Sequence, residues 1–216
     1  MNTNRIAVMA ALAVSMMTGF SSAARATTLN LVQPNSNRGS WVTINVNGVN
    51  EGGFAGALSY SVDGSSSLVD MFCVDVTTAA YLNSPYQVVT LPPAAIDNGE
   101  RAAWLFLNFN SSAQDVVTGT ALQLALWDVV HDGGNGLGAG FFQASSSFIS
   151  NAILAQAESY ITASVGHSAS AAVIYESANG RSDRQLQIGE APEPGTIALL
   201  ASGLVFVGWK ARRKKA

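Results

Sequence analysis

The sequence predicts an α+β domain: an antiparallel sheet or sandwich of about six or seven strands carrying a helical insertion. Three observations predict it. Runs rich in Val, Ile, Thr and aromatics are punctuated by Gly and Asn turns from Thr28 to Val76, the pattern of hairpins or a meander. Three stretches with helical spacing lie between Asp97 and Ile161. Two short strand-like runs, Ala171 to Tyr175 and Arg184 to Ile188, then return the chain to the sheet.

The chain has 216 residues, of which 12% are charged. Removing its two end segments leaves roughly 165 residues, enough for one domain with a proper core. From Thr27 to Glu190 four basic residues (Arg38, Arg101, Arg181, Arg184) stand against thirteen acidic ones. That balance argues against a nucleic-acid partner, whose phosphates require Lys and Arg. The composition, low in charge and rich in Gly, Ser, Ala, Thr and Asn, suits a secreted β-rich module.

Residues 1–26 carry a polar start with Arg5, an apolar run from Ile6 to Phe20 and a small-residue end, Ala24-Arg25-Ala26. This reads as a secretory signal peptide cleaved after Ala26, with Ser22-Ala23-Ala24 as an alternative site. The apolar run falls short of the ~20 residues that a spanning helix needs. The domain then occupies residues 27–190. Its strand candidates are LNLV, WVTINV, FAGALSYSV, LVDMFCVDV and YQVVTL, with Asn47-Gly48 and Asp63-Gly64 as turn dipeptides and Pro92-Pro93 as a stop.

The helical section comprises Asp97 to Phe109, Thr118 to His131 and Ser147 to Ile161. Asp97 is expected to cap the first, with Glu100 in the capping-box position. The second, GTALQLALWDVV, organises the chain. Leu122, Ala125, Leu126 and Val129 form its core face, while Gln123, Trp127 and Val130 form another. A glutamine in so apolar a helix must find a hydrogen-bond partner. The candidate is fifty residues upstream, in the run LVDMFCVDV around Cys73, the chain's only cysteine. One cysteine forms no internal disulfide. In an exported protein it is an intermolecular link, a reactive thiol or a buried inert residue.

Residues 191–216 hold Pro192-Glu193-Pro194-Gly195, an apolar run from Thr196 to Trp209 and a basic end with Lys210, Arg212, Arg213, Lys214 and Lys215. The physics is that of a short transmembrane helix with its basic end in the cytoplasm. At 1.5 Å per residue the stretch from Gly195 to Trp209 covers only about 22 Å, a marginal anchor. Tripeptide, helix and basic end together resemble the PEP-CTERM sorting signal of Gram-negative bacteria. The resemblance implies an inner-membrane intermediate, recognition of Pro192, Glu193 and Pro194 by an exosortase, and delivery to the cell surface or the exopolysaccharide matrix.

Phe72-Cys73-Val74-Asp75 and Gln123-Leu124-Ala125-Leu126-Trp127 together resemble the two motifs of bacterial thioester-forming surface adhesins, in the right order. In that family the cysteine sulfur attacks the glutamine carboxamide and ammonia leaves. The resemblance implies a Cys73–Gln123 cross-link shielded by Trp127, and a partner amine or hydroxyl that attacks it. The other expected function is a non-covalent structural or carbohydrate-binding matrix module.

An enzyme is not expected. No serine-hydrolase Gly-x-Ser-x-Gly occurs, and the loop Gly133 to Gly140 has no P-loop lysine. His131, with Asp128 and Asp132 nearby, reads as a solvated helix end. His167 is isolated, so neither a metal nor a cofactor is expected. Asp70, Asp75 and Asp128 leave a paired-carboxylate glycosidase open until their positions are known.

Overall fold

The computed structural model describes residues 27–191. The signal peptide at 1–26 and the sorting helix and basic end beyond Ala191 lie outside the described residues. Seven strands form one antiparallel sheet: β1 (Thr27–Val46), β2 (Val49–Val62), β3 (Leu68–Cys73), β4 (Tyr86–Leu91), β5 (Phe142–Gln143), β6 (Ala172–Ser177) and β7 (Gln187–Glu190). Three helices are inserted: α1 (Gly99–Phe109), α2 (Val116–Asp132) and α3 (Asn151–Ala163). A single turn of 3-10 helix, Pro93–Ala95, precedes α1.

The sheet closes, which an open sheet or a sandwich does not. Strand order runs β2-β3-β7-β6-β4-β1, and β1 pairs again with β2, so six strands form a ring with β5 added beside β1. Closure depends on β1, whose sequence reads as two strands around Pro34 but runs unbroken for 20 residues. Its first residues pair with β4, most of its length from Leu29 to Val46 with β2, and its end with β5. Register shifts after Leu31 and after Pro34 absorb the proline and bend the strand, as bulges do. The expected two-residue hairpin turn is present, with Asn47 and Gly48 at φ 49° and 84°. That positive-φ pair matches the twist of the flanking strands.

Helix α2 is buried on every side. From Gly119 to Val130 each residue is inaccessible to solvent or nearly so, because β1, β2, α1 and α3 all pack against it. The two faces expected from spacing therefore merge into a helix that is buried all round, with Thr120, Gln123 and Asp128 as its buried polar groups. It begins two residues earlier than expected. Asp115 caps it, its side chain accepting from Thr118 N–H while Thr118 Oγ1 accepts from Asp115 N–H, a reciprocal capping box. Gly119 lies against β1, where a Cβ would collide with the Arg38 carbonyl oxygen. Close approach of helix to strand requires glycine there.

The other two helix starts differ from expectation as well. Asp97 does not cap α1: the N-cap is Asn98, in the left-handed region and with no side-chain bond. The chain enters α1 straight from the 3-10 turn, and the Gly99 N–H is already satisfied by Ile96 O at 3.1 Å. Helix α3 begins after Ser150, whose side chain accepts from Ile153 N–H, rather than at Ser147.

Candidate functional site

Strand β3 carries the sulfur. Alternation in β2 and β3, with Leu58 opposite Met71 and Ser59 opposite Asp70, sets Cys73 on one face with Met71 and sets Asp70 and Phe72 on the other. Phe72 meets Phe106 of α1 edge-on at 6.3 Å. Cys73 is 2% exposed on the opposite face. Beyond Met71, β2 no longer pairs with β3, whereas the β7 side continues through Val74 N–H to Leu186 O at 3.0 Å. The Cys73 N–H and C=O, pointing the other way, would be unpaired in the interior.

Gln123 occupies that position. Its Oε1 accepts from Cys73 N–H at 2.9 Å and its Nε2 donates to Cys73 O at 2.7 Å. The carboxamide behaves as one more peptide unit in the ladder, and its orientation is fixed because an N–H only donates and a carbonyl only accepts. The buried amide predicted from the sequence thus finds its partner on the predicted residue. Gln123 is fully buried.

The sulfur has partners of its own. Cys73 Sγ donates to Gln185 Oε1 at 2.8 Å, and Gln187 Nε2 donates to Sγ at 3.6 Å. Gln185 is oriented by its other end, which donates to Asp75 O at 2.6 Å. Burial pushes the thiol up to about 12, with the Gln187 hydrogen bond lowering it and Asp75 raising it. At neutral pH Cys73 is therefore a thiol rather than a thiolate. Neither Gln185 nor Gln187 stood out in the sequence, although their spacing of two on a strand candidate puts both on one face.

A cavity of about 400 Å³ opens toward Cys73, lined also by Trp127, Gln185, Trp41, Phe54 and the segment Val76 to Ala80. Trp127 is 3% exposed and packs against Phe142 at 5.7 Å. It lines the same cavity as Cys73. Its Nε1 has no hydrogen-bond partner among the described residues.

His131 is not a solvated helix end. Its Nε2 accepts from Val76 N–H at 3.3 Å, tying α2 to the segment that follows Cys73. Desolvation lowers its pKa against the raising influence of Asp75 and Asp132. His167 stacks on Trp104 at 4.4 Å. The three aspartates left open by the sequence belong to separate networks. Burial pushes the Asp70 carboxyl up, but hydrogen bonds from Ser59, Arg38 and Asn35 outweigh it and hold it below the usual range. Asp75 accepts from Thr77 N–H and Oγ1 within its own turn.

Asp128 is buried in α2 and accepts only a long bond, 3.4 Å, from Gly136 N–H. Desolvation pushes it up to about 6; the Gly136 bond and Arg101 lower it, while Asp132 and Glu158 raise it further. Because the folded value exceeds the unfolded value of about 3.9, the folded state binds the proton more tightly. The resulting stability is full below about pH 4 and is lost as pH rises through about 6, roughly 2 kcal/mol in all. Asp128→Asn is expected to remove this slope, so that the gap in Tm between variant and parent changes between about pH 4 and 6. Thermal unfolding across that range checks it.

Residues 190–214 match the PEP-CTERM protein-sorting motif. No curated protein and no solved structure matches the chain. The matched segment contains Pro192, Glu193 and Pro194, and it marks an exported protein that an exosortase processes on the way to the cell surface. Among the described residues no helix is long and apolar enough to cross a membrane; the expected span at 195–209 lies outside them.

Proposed function

We propose that residues 27–190 form an attachment domain that binds a surface or matrix partner covalently through a Cys73–Gln123 thioester. The observation that carries the reading is the reciprocal pair of hydrogen bonds between the Gln123 carboxamide and the Cys73 backbone. It holds the acyl group against the very residue that bears the sulfur, and its N–H polarises the carbonyl to be attacked. Positioning and a preorganised donor are what an otherwise unreactive amide needs.

In the forming step Cys73 Sγ bonds to Gln123 Cδ, the Cδ–Nε2 bond breaks, and the thiol hydrogen leaves with the nitrogen as ammonia. A thiol this reluctant to ionise requires that the proton pass to the departing nitrogen as the bond forms. A partner amine or hydroxyl then attacks Cδ, the Cδ–S bond breaks, and the nucleophile's hydrogen returns to sulfur. The product is an amide or ester at Gln123 and a free Cys73 thiol. Trp127 keeps water from the bond until the partner enters. The chain is not an enzyme on this reading, since Gln123 is consumed. The sorting segment holds the protein in the inner membrane of a Gram-negative cell before an exosortase delivers it to the surface or the exopolysaccharide matrix.

Incubation with methylamine followed by peptide mapping tests the chemistry. An amine adduct on Gln123, accompanied by one new thiol and absent from Cys73→Ala, is the expected result; an unmodified Gln123 contradicts it. One observation favours a second reading, a non-covalent carbohydrate-binding matrix module. Trp41 is 76% exposed at the cavity, steadied by an edge-on contact with Phe54 at 5.8 Å. Matrix retention that survives Cys73→Ala but not Trp41→Ala would establish that reading instead.

A further inference from the structure

The sulfur sits among three glutamines, and only one has a role so far. Gln123 touches the backbone of Cys73; Gln185 and Gln187 touch the sulfur itself. Gln187 is fully buried, and its Nε2 also donates to Gln185 O at 3.3 Å, which fixes the amino end toward the sulfur. The same nitrogen lies 3.5 Å from Gln185 Oε1. Gln187 is thus an aimed donor, in register opposite Cys73 on the neighbouring strand. Gln185 Oε1 is an acceptor that the S–H can use only while sulfur keeps its hydrogen.

We infer that Gln187 is a catalytic residue of the thioester's reaction with its partner, donating to the sulfur as it leaves as thiolate, and that Gln185 aims the thiol before the thioester forms. The inference rests on the thioester reading. Among the described residues no cation stands beside the sulfur, so the negative charge that gathers there as Cδ–S breaks must be met by neutral donors. The Gln187 N–H is the one in contact. When the nucleophile's hydrogen reaches sulfur, the Gln185 oxygen is in place to accept it again. Gln185 thereby holds the product thiol away from the new acyl bond.

The test uses the purified protein, with methylamine as probe and thiol release as the readout. Gln187→Met keeps the length of the side chain and removes the donor. It is expected to retain the mass loss of one ammonia yet release thiol about a hundredfold more slowly, as when one preorganised donor is removed. Gln187→Glu separates this role from packing. It should be slower than Gln187→Met at neutral pH, and the gap should close in acid as the carboxyl gains a proton and becomes a donor. Gln185→Asn should form less thioester with little change in the rate of thiol release once it has formed. Unchanged rates in both Gln187 variants overturn the inference while leaving the thioester standing. Ammonia loss that survives Gln123→Ala and vanishes in Gln185→Asn also overturns it, because Gln185 would then be the acyl donor. Absence of ammonia loss in the parent protein removes the thioester reading and this inference together.

Discussion

Replacing Gln123 with Leu is expected to destabilise the domain even where no cross-link can form. In a Cys73→Ala background neither protein carries a thioester, so the comparison reads the hydrogen bonds alone. Leucine leaves the N–H and C=O of residue 73 buried and unpaired, at about 1–3 kcal/mol for each group. With Cys73 present, a second loss is added. The proposed thioester would join residues 50 apart, and closing a loop of that length in the unfolded chain contributes about 4 kcal/mol in the chain-entropy treatment used for disulfides. Urea unfolding of the four proteins, with and without each substitution, separates the two contributions. Equal stability of Cys73→Ala and Cys73→Ala/Gln123→Leu would show that the glutamine does not complete the ladder.

Arg38→Met is expected to lower stability by about 3–5 kcal/mol, the usual cost of breaking a buried pair from one side. Arg38 is 8% exposed and joins three parts of the chain. Its Nε donates to Ala113 O at 2.7 Å, its Nη2 to Asn110 O and Oδ1 at 2.7 Å, and its Nη1 to Asp70 Oδ2 at 2.8 Å. The guanidinium lies 5.7 Å from the centre of the Phe72 ring. It therefore ties the loop leading into α2 to the strand that bears Cys73. Arg38→Lys should lose most of the same stability, because one ammonium cannot reproduce the planar fork. Thermal unfolding reads both, and the Met variant should melt well below the parent, by about 2–4 °C per kcal/mol for a domain of this size. A Tm within a degree of the parent would exclude the anchoring role.

What the sequence made legible was local. Runs rich in Val, Ile, Thr and aromatics marked the strands, Asn47-Gly48 marked the hairpin turn, and a lone glutamine in an apolar helix marked the amide that had to be paired. The rest depends on contacts between distant residues. Ring closure follows from the register of β1 against both β2 and β4, and no local pattern reveals that a strand runs on through Pro34. Arg38 looked like one of four scattered basic residues, yet its partners lie 32, 72 and 75 residues away. Asp97 offered a sound capping signal that the preceding 3-10 turn made unnecessary. His131 likewise read as solvated because the segment it holds belongs to the far end of β3. Gln185 and Gln187 escaped notice because polar residues near a strand's start usually face water.

The intact mass of the purified protein, compared with that of its Cys73→Ala variant, addresses the central claim directly. Formation of the thioester predicts that the parent falls short of its sequence mass by one ammonia while the variant does not, with the shortfall mapped to a linked pair of peptides containing Cys73 and Gln123. A parent protein at its full sequence mass, with a Cys73 thiol that titrates after unfolding, would contradict it.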